Sequence, residues 1–74
     1  MVNSIATFVR QRRKLLQLTQ PDLAAKAGVG LRFVRELEQG KTTLRLDKVN
    51  LVLRLFGHEA APAPLDRTQL LAAE

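Results

Sequence analysis

Residues 19–42 carry two short helix patterns separated by a turn of only a few residues. The first pattern has a strong start, because Thr19 can accept a backbone N–H bond as N-cap and Asp22 stands three residues later. Pro21 falls in the first turn, where its missing N–H leaves no hydrogen bond unmade. This helix is predicted to end just before Gly28, since glycine can adopt the left-handed conformation that terminates helices.

A second helix is predicted from Leu31 to Gln39, with Gly40 as its stop. Val34 and Leu37 give it one apolar face. A helix, a short turn that contains glycine and a second helix form the helix-turn-helix pattern, whose second helix enters the major groove of DNA. The stretch therefore indicates double-stranded DNA as a partner.

Length and composition restrict the alternatives. The 74 residues suffice for one domain with a modest core, and the absence of cysteine excludes disulfides and thiolate metal sites. The sequence contains no apolar run of the roughly 18 residues that a membrane span needs, and its start, MVNSIATF, lacks the features of a signal peptide. We expect a cytoplasmic protein, associated with the nucleoid through DNA, and no membrane partner.

Charge is distributed unevenly along the chain. Residues 1–54 carry a net charge of +7, whereas residues 55–74 carry −2. A basic folded part favours a polyanionic partner, although many soluble domains are also basic. The basic cluster at residues 10–14 is read first as a solvated helix face.

Two further helices flank the central stretch. The first is predicted from Ser4 to Gln17 and the last from Leu46 to Phe56. From Gly57 the composition changes to GHEAAPAP, whose prolines disfavour helix. We therefore place a DNA-binding domain at residues 1–57 and an extended, flexible tail at residues 58–74. The last ten residues of this tail could form a helical turn or two capped by Asp66.

The last predicted helix has more apolar surface than one interface can use. One stripe, which faces the core, consists of Leu46, Val49, Leu53 and Phe56. A second stripe consists of Leu51, Val52 and Leu55. We expect this second stripe to form a homodimer interface.

Several short motifs together resemble the Xre/Cro-type helix-turn-helix family, which includes lambdoid phage repressors. They are Thr19-Gln20, Leu23-Ala24, Gly28-Val29 and Leu37-Glu38-x-Gly40-Lys41. The resemblance implies an all-α, compact, four- to five-helix lambda-repressor-like domain. The run LRFVRELEQGKTTLRLDKVNLVLRLFG is most similar to HipB-type antitoxins, which implies a short C-terminal strand paired across the dimer and a HipA-like kinase toxin as a partner.

The resemblance also implies the residues that contact DNA. The positions that face base edges are held by Leu31, Arg32, Arg35 and Glu36. The positions that contact phosphates are held by Thr19, Gln20, Gly30, Lys41 and Arg45. Gly30 departs from the family pattern, where Ser or Thr usually caps the second helix.

Chemistry agrees with these roles but leaves alternatives. Arg32 and Arg35 can pair with guanine or with a phosphate, Leu31 can meet a thymine methyl, and Glu36 can accept from cytosine N4. Glu36 is equally well explained by an ion pair with Arg32, four residues earlier. We read Phe33 as a packing residue.

Arg13 and Glu38 are assigned to structure, because the resemblance implies an ion pair between the first and third helices. No motif indicates catalysis, a cofactor or a metal site. The function predicted is a sequence-specific transcriptional repressor that binds a palindromic operator, and the HipB resemblance implies the autoregulating antitoxin of a toxin-antitoxin pair. The alternatives are a stand-alone Xre-type regulator and a helix-turn-helix adaptor that binds only protein.

Overall fold

A computed structural model describes residues 4–64. The helices in this part of the chain are α1 (Ser4–Leu15), α2 (Gln20–Ala27), α3 (Leu31–Glu38) and α4 (Leu46–Leu55). No strand occurs between residues 4 and 64. The predicted all-α domain of four to five helices is confirmed, with four helices in the described residues.

Each helix ends in the same way, with one residue in the left-handed conformation. These residues are Gln17, Gly28, Gly40 and Gly57, with φ angles of 58°, 75°, 86° and 75°. In every case the next backbone N–H donates to the carbonyl five residues earlier, which is the bond of a Schellman motif. The first helix therefore ends at Leu15 and not at Gln17 as predicted, because Gln17 reverses the chain.

The start of α2 forms the predicted capping box. Thr19 Oγ1 accepts from the N–H of Asp22 at 3.1 Å, and the N–H of Thr19 donates to Asp22 Oδ2 at 3.0 Å. These bonds, the one from the Thr19 backbone first, lower the pKa of Asp22, because they favour its charged form. Local sequence alone thus fixes both ends of α2.

One hydrophobic core joins all four helices. Its buried members are Val9, Leu23, Ala24, Val34, Leu37, Val49, Val52 and Leu53. Helix α3 packs against α1 and α2, and α4 packs against α2. Full burial of a Leu or Val side chain contributes about 1.5–3 kcal/mol, so this small core holds α3 firmly with its polar face outward.

In helix α4, one residue of the predicted dimer stripe is buried inside the single chain. Val52 is fully buried in the core of the single chain, so it has no surface to offer a partner, and the predicted dimer stripe loses this residue. Leu51 and Leu55 keep 42% and 40% of their surfaces exposed, as that prediction requires. Leu46, which was expected in the core stripe, is 60% exposed because it stands at the first position of the helix.

The segment after Gly57 contacts the helices as far as Ala60. The N–H of Ala60 donates to Asn50 Oδ1 at 2.8 Å, and the ring of His58 lies 4.6 Å from that of Phe8. The predictions for residues 65–74, including the helical turn capped by Asp66, lie outside the described residues.

Candidate nucleic-acid interface

The outer face of α3 presents two arginines. Val34 and Leu37 are buried beneath it, which leaves Arg32 and Arg35 exposed, and the side chain of Arg32 is 90% accessible. Arg35 forms no ion pair within residues 4–64. Leu31 and Phe33 are partly buried against the core, so Leu31 offers only part of its side chain to a ligand.

Glu36 lies between two cations of this face. Its Oε2 accepts from Lys41 Nζ at 2.7 Å, and its Oε1 lies 3.9 Å from Arg32 Nε. The hydrogen bond from Lys41 is the main reason why the pKa of Glu36 is lowered. The sequence suggested the Arg32 pair, but the closer contact is with Lys41.

That contact depends on the end of α3. Gly40 turns the chain back, and the N–H of Lys41 donates to the carbonyl of Glu36 at 3.1 Å. The Lys41 side chain is therefore returned over the last turn of the helix. The order of charged residues in the sequence does not predict that Lys41 contacts Glu36. The signal that could have suggested it is Gly40, because a glycine that ends a helix turns the chain back over the last turn.

Arg45 also has a carboxylate partner in the free protein. Its Nη2 donates to Asp47 Oδ2 at 2.7 Å, and its Nε donates to Asp47 Oδ1 at 3.2 Å. This bidentate pair lowers the pKa of Asp47 and stands at the start of α4, in the loop that follows α3. The pair is well exposed, so solvent screens it and leaves Arg45 available to an external anion.

Beneath the face, Arg13 and Glu38 form the expected ion pair. Arg13 Nε and Nη2 donate to the two oxygens of Glu38 at 2.7 and 2.9 Å, and Nη1 donates to the carbonyl of Leu18 at 2.9 Å. The bond to Glu38 raises the pKa of Arg13 further. With side chains only 13% and 5% exposed, the pair joins α1 to α3 and is held away from an external ligand.

Gln20 extends this network to α2. Its Nε2 donates to Glu38 Oε1 at 3.2 Å, a contact that the sequence did not predict. The amide group carries a second N–H, which stays free to donate. One carboxylate, Glu38, thus fixes the positions of α1, α2 and α3 relative to one another.

The helix starts complete the surface. Thr19 is exposed, and its hydroxyl accepts one bond from the α2 backbone but retains its proton for another acceptor. Gly30 is the N-cap of α3 and supplies no side-chain bond to the helix. Helix N-termini favour anions, so both starts suit phosphate groups.

Other kinds of site find no support in the described part of the chain. Between residues 4 and 64, no three His, Asp or Glu side chains are placed to hold a metal ion. Every helix there is too short or too polar to cross a lipid bilayer.

Comparison with known proteins agrees with the geometry. A family model described as helix-turn-helix matches residues 9–59. The chain is also 49% identical, over 53 residues, to the uncharacterized HTH-type transcriptional regulator y4mF of Sinorhizobium fredii. That match covers 72% of this chain and 70% of the relative.

Proposed function

Because this chain belongs to the Xre-type helix-turn-helix family of DNA-binding transcriptional regulators, we propose that it acts as a repressor bound to a palindromic operator as a homodimer. The observation that carries the proposal is the exposed face of α3. Two arginines project from a helix whose opposite side is locked into the core. A rigid helix with outward arginines suits recognition of base edges in the major groove.

Within the groove, Arg32 and Arg35 read bases or the phosphates beside them, and Leu31 meets a thymine methyl. Arg32 is the best candidate for base contact, because its side chain is almost fully exposed near the start of the helix. Residues near the N-terminus of a recognition helix reach base edges in this class of fold. Glu36 accepts from cytosine N4.

Phosphates are contacted from three places around α3. Thr19 and Gln20 donate from the start of α2, and Gly30 lies at the start of α3. Lys41 and Arg45 contact the backbone from the loop that follows. In the free protein both cations are paired with carboxylates, so DNA replaces one acceptor by another.

Selection of bound duplexes from random DNA tests the proposal. We expect a two-fold symmetric sequence whose half-sites are about one helical turn apart. Arg32→Ala should weaken binding by about 1–3 kcal/mol and relax the preference at one base pair of each half-site. Arg10→Ala, which removes an exposed arginine of α1, is the matched control. Recovery of no preferred sequence would contradict the proposal, and an equal loss on all sequences would make Arg32 a phosphate contact.

Loss of the loop cations should act differently. Lys41→Ala and Arg45→Ala should weaken binding to every duplex alike and lower the slope of log affinity against log salt by about one each. An unchanged slope in both variants would remove the loop from the interface.

We further propose that the chain binds a toxin, in addition to DNA, as the antitoxin of a toxin-antitoxin pair. The resemblance of the α3–α4 region to HipB-type antitoxins supports a kinase-like partner and control of its own operon. A reading frame for such a kinase beside this one, and capture of that kinase from the source cell by the tagged chain, would support it. A purified complex with no kinase, from cells that express the neighbouring frame, would leave a stand-alone regulator or a protein-binding adaptor.

A further inference from the structure

We propose that Glu36 acts as a specificity device that weakens binding to non-cognate DNA. This inference rests on the proposed function, because it concerns how the same face rejects the wrong sequence. Glu36 is the carboxylate of α3 that remains at the surface, since Glu38 is buried and held by Arg13. Its side chain is 25% exposed and lies against two of the cations that would approach DNA.

The first part of the argument is competition for Lys41. The distance of 2.7 Å between Lys41 Nζ and Glu36 Oε2 marks a charge-assisted hydrogen bond. A phosphate can gain Lys41 only by drawing its ammonium group away from Glu36. On any DNA, therefore, the gain from neutralising one phosphate is reduced by the loss of this pair.

The second part is what happens to the carboxylate that is left behind. In the major groove, cytosine presents an N4 amino donor, whereas guanine presents two acceptors and thymine an acceptor and a methyl group. A correctly placed cytosine or adenine amino group can replace the Lys41 donor, but the other bases leave Glu36 facing acceptors. The penalty thus falls mainly on non-cognate sequences, which is specificity through a repulsive element.

A comparison with Asp47 separates this role from simple negative charge. Asp47 also binds a cation of the loop, Arg45, at 2.7 Å, but it stands at the start of α4, and its side chain is 64% exposed. Its removal releases one cation without altering the outer face of α3. Asp47→Asn is therefore the matched control for Glu36→Gln, because each change removes one negative charge and one hydrogen-bonded ion pair with a loop cation and nearly preserves shape.

The experiment measures affinity and its salt dependence for two duplexes. One is the sequence that the wild-type protein selects from random DNA, and the other has both half-sites scrambled. For the scrambled duplex, Glu36→Gln should raise affinity about tenfold at 0.1 M salt, because Lys41 no longer has to leave a carboxylate that then faces base acceptors. The salt slope should stay level, since Lys41 contacts one phosphate in both proteins. Affinity for the selected duplex should fall, because a neutral amide oxygen accepts more weakly than a carboxylate from a base amino group, so the ratio of the two affinities drops at least tenfold. Asp47→Asn should raise both affinities together and leave the ratio unchanged.

The outcomes are distinguishable. An unchanged ratio in Glu36→Gln, with both affinities raised as in Asp47→Asn, would overturn the role of Glu36 and leave the proposed function intact. If the wild-type protein itself does not distinguish the two duplexes, the proposed function fails, and this inference fails with it. Circular dichroism of each variant verifies that the helices are retained.

Discussion

Gln17 has a left-handed backbone conformation, which is energetically unfavourable for any residue with a Cβ atom. Its φ of 58° lies in the left-handed region, where the three equivalent helix ends carry glycine. This conformation costs roughly 1–2 kcal/mol, which a glycine at this position would not lose. Glycine would instead cost about 0.5–1 kcal/mol, because it has greater conformational freedom in the unfolded chain. Gln17→Gly should therefore stabilise the protein by roughly 0.5–1 kcal/mol, measured as an increase in the urea midpoint.

Gln17→Ala is the control for this change. It shortens the side chain but keeps the Cβ, so the strain stays and no gain is expected. An equal increase in stability for Ala and Gly would show that the glutamine side chain, and not the left-handed backbone, limits stability.

The contribution of the buried ion pair between Arg13 and Glu38 to stability can be measured by removing one partner and then both. Arg13→Met keeps most of the apolar stem but leaves Glu38, whose side chain is 5% exposed, with Gln20 as its remaining side-chain donor. We expect a loss of about 3 kcal/mol in unfolding free energy, since breaking one half of a buried pair costs about 3–5 kcal/mol. The double variant Arg13→Met/Glu38→Leu should recover most of it, because an apolar pair can replace a buried ion pair at little cost. A single variant that loses under about 1 kcal/mol would mean that water already reaches Glu38.

Contacts between side chains divide into those that the sequence could predict and those that it could not. Thr19 and Asp22 pair within one turn, so local spacing was enough. The bonds from Gln20 to Glu38 and from Lys41 to Glu36 depend on how α2 meets α3 and on where Gly40 sends the chain. Such contacts become visible only when the elements have been placed in space.

At the scale of elements, the ends of the helices were predicted better than which face of each helix is buried. Glycine marked the ends of α2, α3 and α4 to within a residue. The end of α1 was missed, because glutamine carries no sign that it will turn left-handed. Val52 was assigned to the wrong side of α4, although it lies one turn from Val49 and therefore on the same face, buried with it in the core.

Helix α3 begins without a side-chain cap, which offers a test of that element. Gly30 has φ −75° and ψ 155°, ordinary extended angles, and a Cβ built there meets no atom within 4 Å. Gly30→Ser should stabilise the protein by about 0.5–1 kcal/mol, because the hydroxyl caps α3 and the unfolded chain loses freedom. A new hydroxyl at a phosphate-facing helix start should also tighten DNA binding.

Gly30→Ala separates the two contributions. Alanine restricts the unfolded chain as serine does, but it is a poor N-cap, so it should be less stable than serine by about 1 kcal/mol. Urea unfolding of the two variants measures the difference. Equal stability would show that α3 gains nothing from a capping oxygen at this position.

For the whole molecule, charge and symmetry have to be considered together. The basic charge is concentrated before residue 55, in the part that contains α3. In the proposed complex, one such domain would cover a single half-site of DNA with only a few phosphate contacts, and two domains on a two-fold axis would double that number. The surface that would join them must lie away from α3, and the exposed leucines of α4 are candidates.

Leu51 and Leu55 lie one turn apart on the outer side of α4 and are 42% and 40% exposed. Covering this remaining area against a second copy would contribute about 1–2 kcal/mol for each leucine at roughly 25 cal/mol per Å². Leu55→Glu should therefore yield a monomer that keeps its helical circular dichroism, since the side chain already contacts water, but loses tight operator binding. Sedimentation velocity or light scattering at micromolar protein measures the first effect, and titration of the selected duplex measures the second.

Leu15→Glu is the matched control for Leu55→Glu, because Leu15 is 73% exposed at the end of α1 and outside the proposed interface. The same charge is introduced on a helix surface, so any general effect of a glutamate on solubility or DNA affinity appears in both variants. The dimer should persist in Leu15→Glu and be lost in Leu55→Glu. A wild-type chain that is monomeric at micromolar concentration, yet binds the palindrome tightly and without cooperativity, would show that the leucines of α4 serve another purpose.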